Sequence, residues 1–274
     1  MRRVDEFKVN IQLIEDVCVR FVEADEDDGG SILVFLPGAG EIKECHASLS
    51  HSSRLRALKV LMLHSNVSPT QQRDCFAPGR KVILSTNVAE ASLTIPNITC
   101  VIDTGLSREV GVSARSGTGF LRKSWCSKAS TKQRAGRAGR VRPGVCYRLF
   151  SRWTWGRMRE HLEPEIKRMP LEEVVVAVLE GGADGNSVED FLSECPDPPE
   201  KGVKEAVEGL VRIGAVRVLD KGERLTRLGI SLVKLNVPCR VAKVVLFSVL
   251  LKCAGSGLGI AALLAVGKVS VSEA

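Results

Sequence analysis

Short apolar runs at 31–36, 59–63, 81–85, 100–103 and 145–150 alternate with stretches of helical periodicity. This alternation restricts the fold more than any other feature of the chain. The runs SILVFL (31–36) and KVILS (81–85) are almost continuous in apolar residues. Such runs suit strands buried on both faces of a parallel sheet. Between the runs, residues 4–22 carry apolar side chains at helical spacing, and 40–49 follow the turn Pro37-Gly38. A third helix is predicted at 69–76, with Ser68 as N-cap and Pro69 at the first helical position. Strand and helix in alternation imply an α/β sheet with ligands at the carboxyl ends of its strands.

The segment 104–130 breaks that rhythm. Strand candidates at 109–113 and 120–125 flank the tip Arg115-Ser116-Gly117-Thr118-Gly119, which predicts a projecting β-hairpin. After Phe150 the composition changes. A basic linker with Trp153 and Trp155 leads to helical runs at 174–179 and 203–213. A short hairpin follows at 215–225, turning at Asp220-Lys221-Gly222. Helices that end in a small hairpin form the pattern of a winged helix. From Pro238 the chain reads as two helices split at Gly255-Ser256-Gly257, the start of a helical domain. The expected parts are 1–152, an α/β domain; 153–236, linker and winged helix; and 237–274, a partial α-helical domain.

A chain of 274 residues accommodates several small cores. Its net charge of +7 hints at a polyanionic partner. No apolar run reaches the length of about 18 residues that spans a membrane, and the N-terminus lacks the apolar core of a secretory signal. None of the nine cysteines forms a CxxC pair. Buried thiols in a reducing compartment, cytoplasm or nucleus, fit them better than a disulfide framework. Cys45, His46, His51 and His64 lack zinc-ligand spacing, so no metal site is expected on this chain.

Three blocks carry chemistry. LVFLPG (33–38), with the strand ending Leu63-His64-Ser65, reads on its own as buried sheet. STNVAEASLTI (85–95) places Thr86 and Asn87 at a strand end, where hydroxyls and N–H groups suit backbone phosphates. A helix cap is the competing explanation there. QRAGRAGR (133–140) sets arginines at 134, 137 and 140. On one face of a short helix their guanidinium forks would converge on a phosphate cluster, and Gln133 could orient an attacking water. A solvated basic helix that binds nucleic acid without sequence preference is the alternative. Glycine inside a helix costs about 1 kcal/mol, so Gly136 and Gly139 imply a close approach of ligand or neighbouring domain.

In this order and spacing the three blocks resemble motifs IV, V and VI of the DEAH-box RNA helicases. LEEVVVAVLEGG with LVRIGAVRVLDKGERLTRLGISLVKLNV resembles that family's winged helix, and PCRVAKVVLFSVLLKC the start of its ratchet domain. The resemblance runs over roughly residues 5–266. It implies a RecA-like second motor domain that meets ATP held mainly by a first motor domain. By position, Gln133 would contact the γ-phosphate or its water, and Arg137 and Arg140 would be arginine fingers. Ser65, Thr86 and Asn87 would hold the RNA backbone. Ser92 would lie near the ATP cleft, and Phe76 would pack on adenine. The hairpin resembles the one that sits where a duplex separates.

Two positions depart from the family pattern: Ala91 replaces a threonine, and Pro96 stands where an acid is common. The chain contains neither G-x-x-x-x-G-K-[ST] nor Asp-Glu-x-His. The phosphate cradle and the Mg2+ carboxylate are therefore expected from a motor domain upstream in the same protein, and this piece alone is expected to be inactive. The implied partners are RNA, as single strand or duplex junction, and an activating protein. A non-catalytic binding module and a DNA helicase of the same superfamily remain the alternatives.

Overall fold

The computed structural model describes residues 5–24, 30–90, 94–112, 119–139, 143–182, 187–199 and 202–266. Three of the residues singled out above, Ala91, Ser92 and Arg140, lie outside them, as does most of the hairpin tip. The chain divides into two compact units: Met1–Glu109 with Leu121–Leu162, and Val110–Phe120 with Glu163–Ala274.

The first unit is a five-stranded parallel sheet of order β2-β3-β1-β4-β7. Its strands are β1 (Ser31–Phe35), β2 (Lys59–Leu63), β3 (Lys81–Ser85), β4 (Ile98–Asp103) and β7 (Val145–Arg148), and between β4 and β7 in the chain come β5 (Leu106–Val112) and β6 (Gly119–Trp125). The expected runs form these strands, with the one at 145–150 shortened. Every residue of β1, β3 and β4 is buried, because these three strands occupy the middle of the sheet.

Alternation along each strand sorts the core into two layers. Ile32, Val34, Val82, Leu84, Cys100 and Ile102 face α1 (Ile11–Ala24) and α2 (Ala39–His51), meeting Ile14, Cys18, Ile42, Cys45 and Leu49. Leu33, Phe35, Ile83 and Val101 form the other layer with Leu63, Cys75 and the half-buried Phe76. The first helix starts later than its periodicity suggested. Asn10 Oδ1 accepts from Leu13 N at 3.0 Å, a side-chain cap that fixes the start. The predicted cap of α3 (Pro69–Asp74) is present, with Ser68 Oγ accepting from Gln71 N at 3.3 Å.

β5 and β6 form a separate two-stranded sheet, as expected for the hairpin, and β5 starts three residues before its predicted strand. α4 (Lys128–Ala135) and α5 (Arg152–Arg157) complete the unit. Here one expectation is corrected. The helix does not run through QRAGRAGR: it stops at Ala135, Gly136 is its C-cap, and Gly139 has φ +84°. A left-handed backbone strongly favours glycine, so Gly139 serves a turn and the supposed cost of glycine inside a helix does not arise.

In the second unit, α6 (Glu172–Glu180), α7 (Val188–Ser193) and α8 (Val203–Arg212) bury Val175, Val188, Leu192, Val207 and Leu210 together. β8 (Val216–Leu219) and β9 (Gly222–Leu225) pair antiparallel, and Gly222 takes φ +107° at the turn. This is the expected helix-then-hairpin pattern. α9 (Arg227–Val233) follows, capped by Thr226 Oγ1 on Gly229 N at 2.9 Å. α10 (Cys239–Leu250) and α11 (Ala254–Val266) come last. The break between them falls at 251–253, ahead of the predicted glycines. Gly257 lies inside α11, where an added Cβ would stand 2.0 Å from Ser248 Cβ. It permits close helix packing and does not end a helix.

Candidate nucleotide and nucleic-acid site

The carboxyl ends of β2 and β3 carry three of the candidate residues, Ser65, Thr86 and Asn87. Leu63 and Ser85 are register partners at the ends of β2 and β3. Ser65 and Thr86 therefore leave the sheet side by side, tied by Thr86 N donating to Leu63 O at 3.3 Å. Ser85 is buried, and its Oγ donates to Leu63 O at 3.1 Å. Ser65 is exposed and donates to Asn66 Oδ1 at 3.3 Å. Asn66 N in turn donates to His64 Nδ1 at 3.2 Å. Burial, helped by the charge of Lys43, holds His64 below the usual imidazole range, which favours the neutral ring that accepts this bond.

Thr86 caps the short turn at 87–89, with its Oγ1 accepting from Val88 N at 3.5 Å. The capping explanation of this block is therefore satisfied, while Asn87, next in the chain, is exposed. Gly38, at the end of the neighbouring β1 loop, starts α2 and lies under Arg108, whose Nε would stand 2.5 Å from a Cβ there. Arg108 is held by Glu41 at 3.3 Å. Phe76 is half-buried against the Leu33–Phe35 layer, so its ring is partly committed to the core.

Around α4 the arginines separate by role. Ser127 Oγ caps the helix on Ser130 N at 3.1 Å, and Gln133 on its last turn is exposed. The picture of three guanidiniums converging on one phosphate cluster does not hold, because Arg134 is turned inward and is only 1% exposed. Its Nε donates to Glu90 Oε2 at 3.0 Å, and its Nη1 to Asp103 Oδ1 at 2.9 Å and to Leu106 O at 3.2 Å. The Phe35 ring lies 4.9 Å beneath it. Burial opposes the charge, but the carboxylates of Asp103 and Glu90 outweigh it and keep the guanidinium ionised.

Arg137 lies beyond the helix end and is itself buried; its Nη2 donates to the backbone carbonyl of Glu90. Glu90 thus holds one arginine by its carboxylate and another by its carbonyl. It also ends the segment that begins at Thr86 and Asn87. Sequence reasoning gave no role to Glu90 or Asp103, and it placed Arg134 on a phosphate, where the structure gives it two buried carboxylates. The available signal was Asp103 at the end of an otherwise apolar strand, since a buried carboxylate demands a cation. Among the described residues, no three His, Cys, Asp or Glu side chains cluster as metal ligands, and no helix is long and apolar enough to cross a membrane.

A parallel RecA-like sheet whose strand-end loop is bonded to an arginine-rich segment after a short helix defines a helicase motor domain of the C-terminal type. Residues 10–142 match the helicase conserved C-terminal domain. Over most of its length the chain is similar to helicases named DEAH-box or DExH. It is 37% identical over 256 residues to the ATP-dependent RNA helicase dhx29 of Xenopus laevis, covering 90% of this chain and 18% of that protein. To the ATP-dependent DNA/RNA helicase DHX36 of Mus musculus it is 36% identical over 269 residues, 96% of this chain and 26% of the relative. The DEAH/RHA helicase HrpB of Escherichia coli superposes with a TM-score of 0.80 at 30% identity, over 94% of this chain and 32% of that one. The chain thus spans about a third or less of each of these proteins.

Proposed function

We propose that this chain works as the C-terminal part of an ATP-dependent RNA helicase, coupling nucleotide hydrolysis to translocation on RNA or to its unwinding. The parts proposed are a motor domain at 1–152, a linker and winged helix at 153–236, and the start of a ratchet domain from 237. The observation that supports this reading best is the double use of Glu90. It bonds the loop carrying Thr86 and Asn87 to the segment carrying Gln133 and Arg137.

The donor set suits a polyphosphate. Gln133 is an exposed carboxamide, and four residues on, the Glu90 carbonyl orients a guanidinium. ATP bound chiefly to the first motor domain would supply the phosphoryl group, with Mg2+ held there neutralising its charge. Gln133 positions the attacking water, and Arg137 with Arg140 takes up charge that develops in transfer. Ser65, Thr86 and Asn87 grip the RNA backbone at the carboxyl edge, and such a grip is largely indifferent to sequence. Phe76 offers its remaining ring surface to adenine, and Ser92, outside the described residues, is assigned by resemblance to couple the ATP cleft to the RNA. An activating protein completes the expected partners. Free thiols, mostly buried, support cytoplasm or nucleus.

The test is ATPase activity of this chain joined to a first motor domain, with and without oligouridine. Arg137→Ala is expected to lower the rate by about 10³-fold or more. Full RNA-stimulated activity in that variant refutes the assignment. A well-folded joined protein that binds RNA without hydrolysing ATP supports a non-catalytic module instead. Because one relative is named a DNA/RNA helicase, stimulation by DNA is measured in parallel. Only RNA offers 2′-hydroxyls, so equal stimulation by both would indicate a grip on phosphates alone.

A further inference from the structure

Trp153 is 70% exposed, although its neighbours on α5 are firmly anchored. Ser151 Oγ caps the helix on Thr154 N at 3.1 Å, and Glu6 accepts from Ser151 N at 3.1 Å and from Thr154 Oγ1. Thr154 and Met158 are buried, and Trp155 stacks on Phe150 at 6.3 Å with an interplanar angle of 9°. The backbone under Trp153 is therefore rigid, yet its indole adds nothing to the core. An indole that could bury some 150–250 Å² is left in water.

Three exposed arginines share this short stretch. The Arg157 guanidinium stands 4.6 Å over the Trp153 ring, Arg148 lies 4.4 Å over Trp155, and Arg152 directly precedes Trp153. Among the described residues no carboxylate lies within ion-pair distance of any of the three. Glu6 is the acid beside them, and it is engaged at the helix start. With Arg157 on one face, the exposure of Trp153 leaves the other face open to a flat ligand.

We infer that this face of α5 is a second contact for single-stranded RNA, with one base stacked on Trp153 and flanking phosphates taken by Arg148, Arg152 and Arg157. The inference rests on the RNA-binding reading above. A planar aromatic and unpaired guanidiniums fit the two chemistries of a nucleic-acid strand, the π-face and the phosphate. A protein partner would have to bring a carboxylate for each buried guanidinium. The placement also agrees. α5 begins just past β7, at the same carboxyl edge as Thr86 and Asn87. Three strand spacings separate β3 from β7, roughly 14 Å across the sheet.

The test measures affinity for a fluorescein-labelled oligouridine by anisotropy over a salt series, using the whole chain. Trp153→Ala is expected to weaken binding about tenfold with melting unchanged, and Trp153→Phe to keep most of the affinity. The double variant Arg152→Gln, Arg157→Gln should reduce the salt slope by about 1.4, the share of two phosphates on a single strand. A 5-bromouridine strand should cross-link to the peptide that contains Trp153. Unchanged affinity and slope in these variants overturn the inference and point to a protein partner on this face. Asn87→Ala, measured alongside, separates the two readings. Weakening by Asn87→Ala alone leaves the strand-end RNA site standing and removes this one. Weakening by Trp153→Ala alone does the reverse, and a wild-type chain that binds no RNA removes both.

Discussion

Replacing Arg134 by methionine tests whether the buried arginine is a structural ion rather than a third phosphate ligand. The guanidinium is fully enclosed and satisfies Glu90 at 3.0 Å, Asp103 at 2.9 Å and the Leu106 carbonyl at 3.2 Å. Methionine keeps much of the volume and the packing on Phe35, so the loss is chiefly electrostatic. Asp103, with no exposure, would keep the Gly105 N donor at 2.9 Å on Oδ1; its Oδ2 already lacks a partner among the described residues. Removing one side of a buried ion pair costs about 3–5 kcal/mol. In a domain of this size that lowers the melting temperature by roughly 10 °C. Calorimetry of the joined protein reads the shift, and ATPase is measured well below the transition. Asp103→Asn and Glu90→Gln added to Arg134→Met should recover at least half of the loss, because replacing all the charges together is far less costly than stranding one. A single variant that melts within about 2 °C of the wild type refutes the argument. So does a triple variant no more stable than the single one.

Gly229→Ala should destabilise the second unit by about 1–3 kcal/mol, because the new Cβ would stand 2.0 Å from the Ala215 carbonyl oxygen; urea unfolding checks it, and an unchanged midpoint contradicts the packing. The Glu6 carboxyl is held below its usual range by the Thr154 hydroxyl, against desolvation and with help from Ser151. Its folded value is depressed, so its stabilisation is present above the unfolded pKa and is lost as pH falls through the folded one. The melting difference between wild type and Glu6→Gln should therefore shrink between about pH 6 and pH 3. Ellman titration of the native protein should modify Cys253 first, since it is exposed, while burial pushes Cys45 and Cys126 up to about 12. Rapid modification of Cys126 would show that the interior beside Arg134 is open.

The sheet was legible because burial on both faces leaves a continuous apolar signature. β2 and β3 fall on their predicted bounds, and the turn at Gly222 was marked by its glycine. Boundaries set by side-chain caps were harder to see. Asn10 delays α1, and a polar residue within an apolar pattern does not announce itself as a cap. The site was legible in its parts and not in its arrangement. Equal spacing of three arginines suggested one shared face, but that inference needed a helix that continues. Arg134, still on the helix, points into the core; Gly136 then ends the helix, and Arg137 reaches back to Glu90. Partners 44 and 31 residues away in sequence, Glu90 and Asp103, leave no periodic trace. Trp153 had a visible residue type and an invisible exposure.

The Asp103–Arg134 pair also bears on how the domain is made. Four of the five sheet strands are complete in the nascent chain by Asp103, and their register is parallel and long-range. Arg134 is synthesised 31 residues later, roughly 2–6 s at typical elongation rates. Until it emerges, closing β4 into the sheet would bury a carboxylate with no cation to receive it. The acid thus opposes the docking of β4 until the segment bearing the arginines has left the ribosome, and β7 completes the sheet after it. A chain stalled before residue 134 should remain open to protease along β4, and one stalled with that segment fully emerged should not.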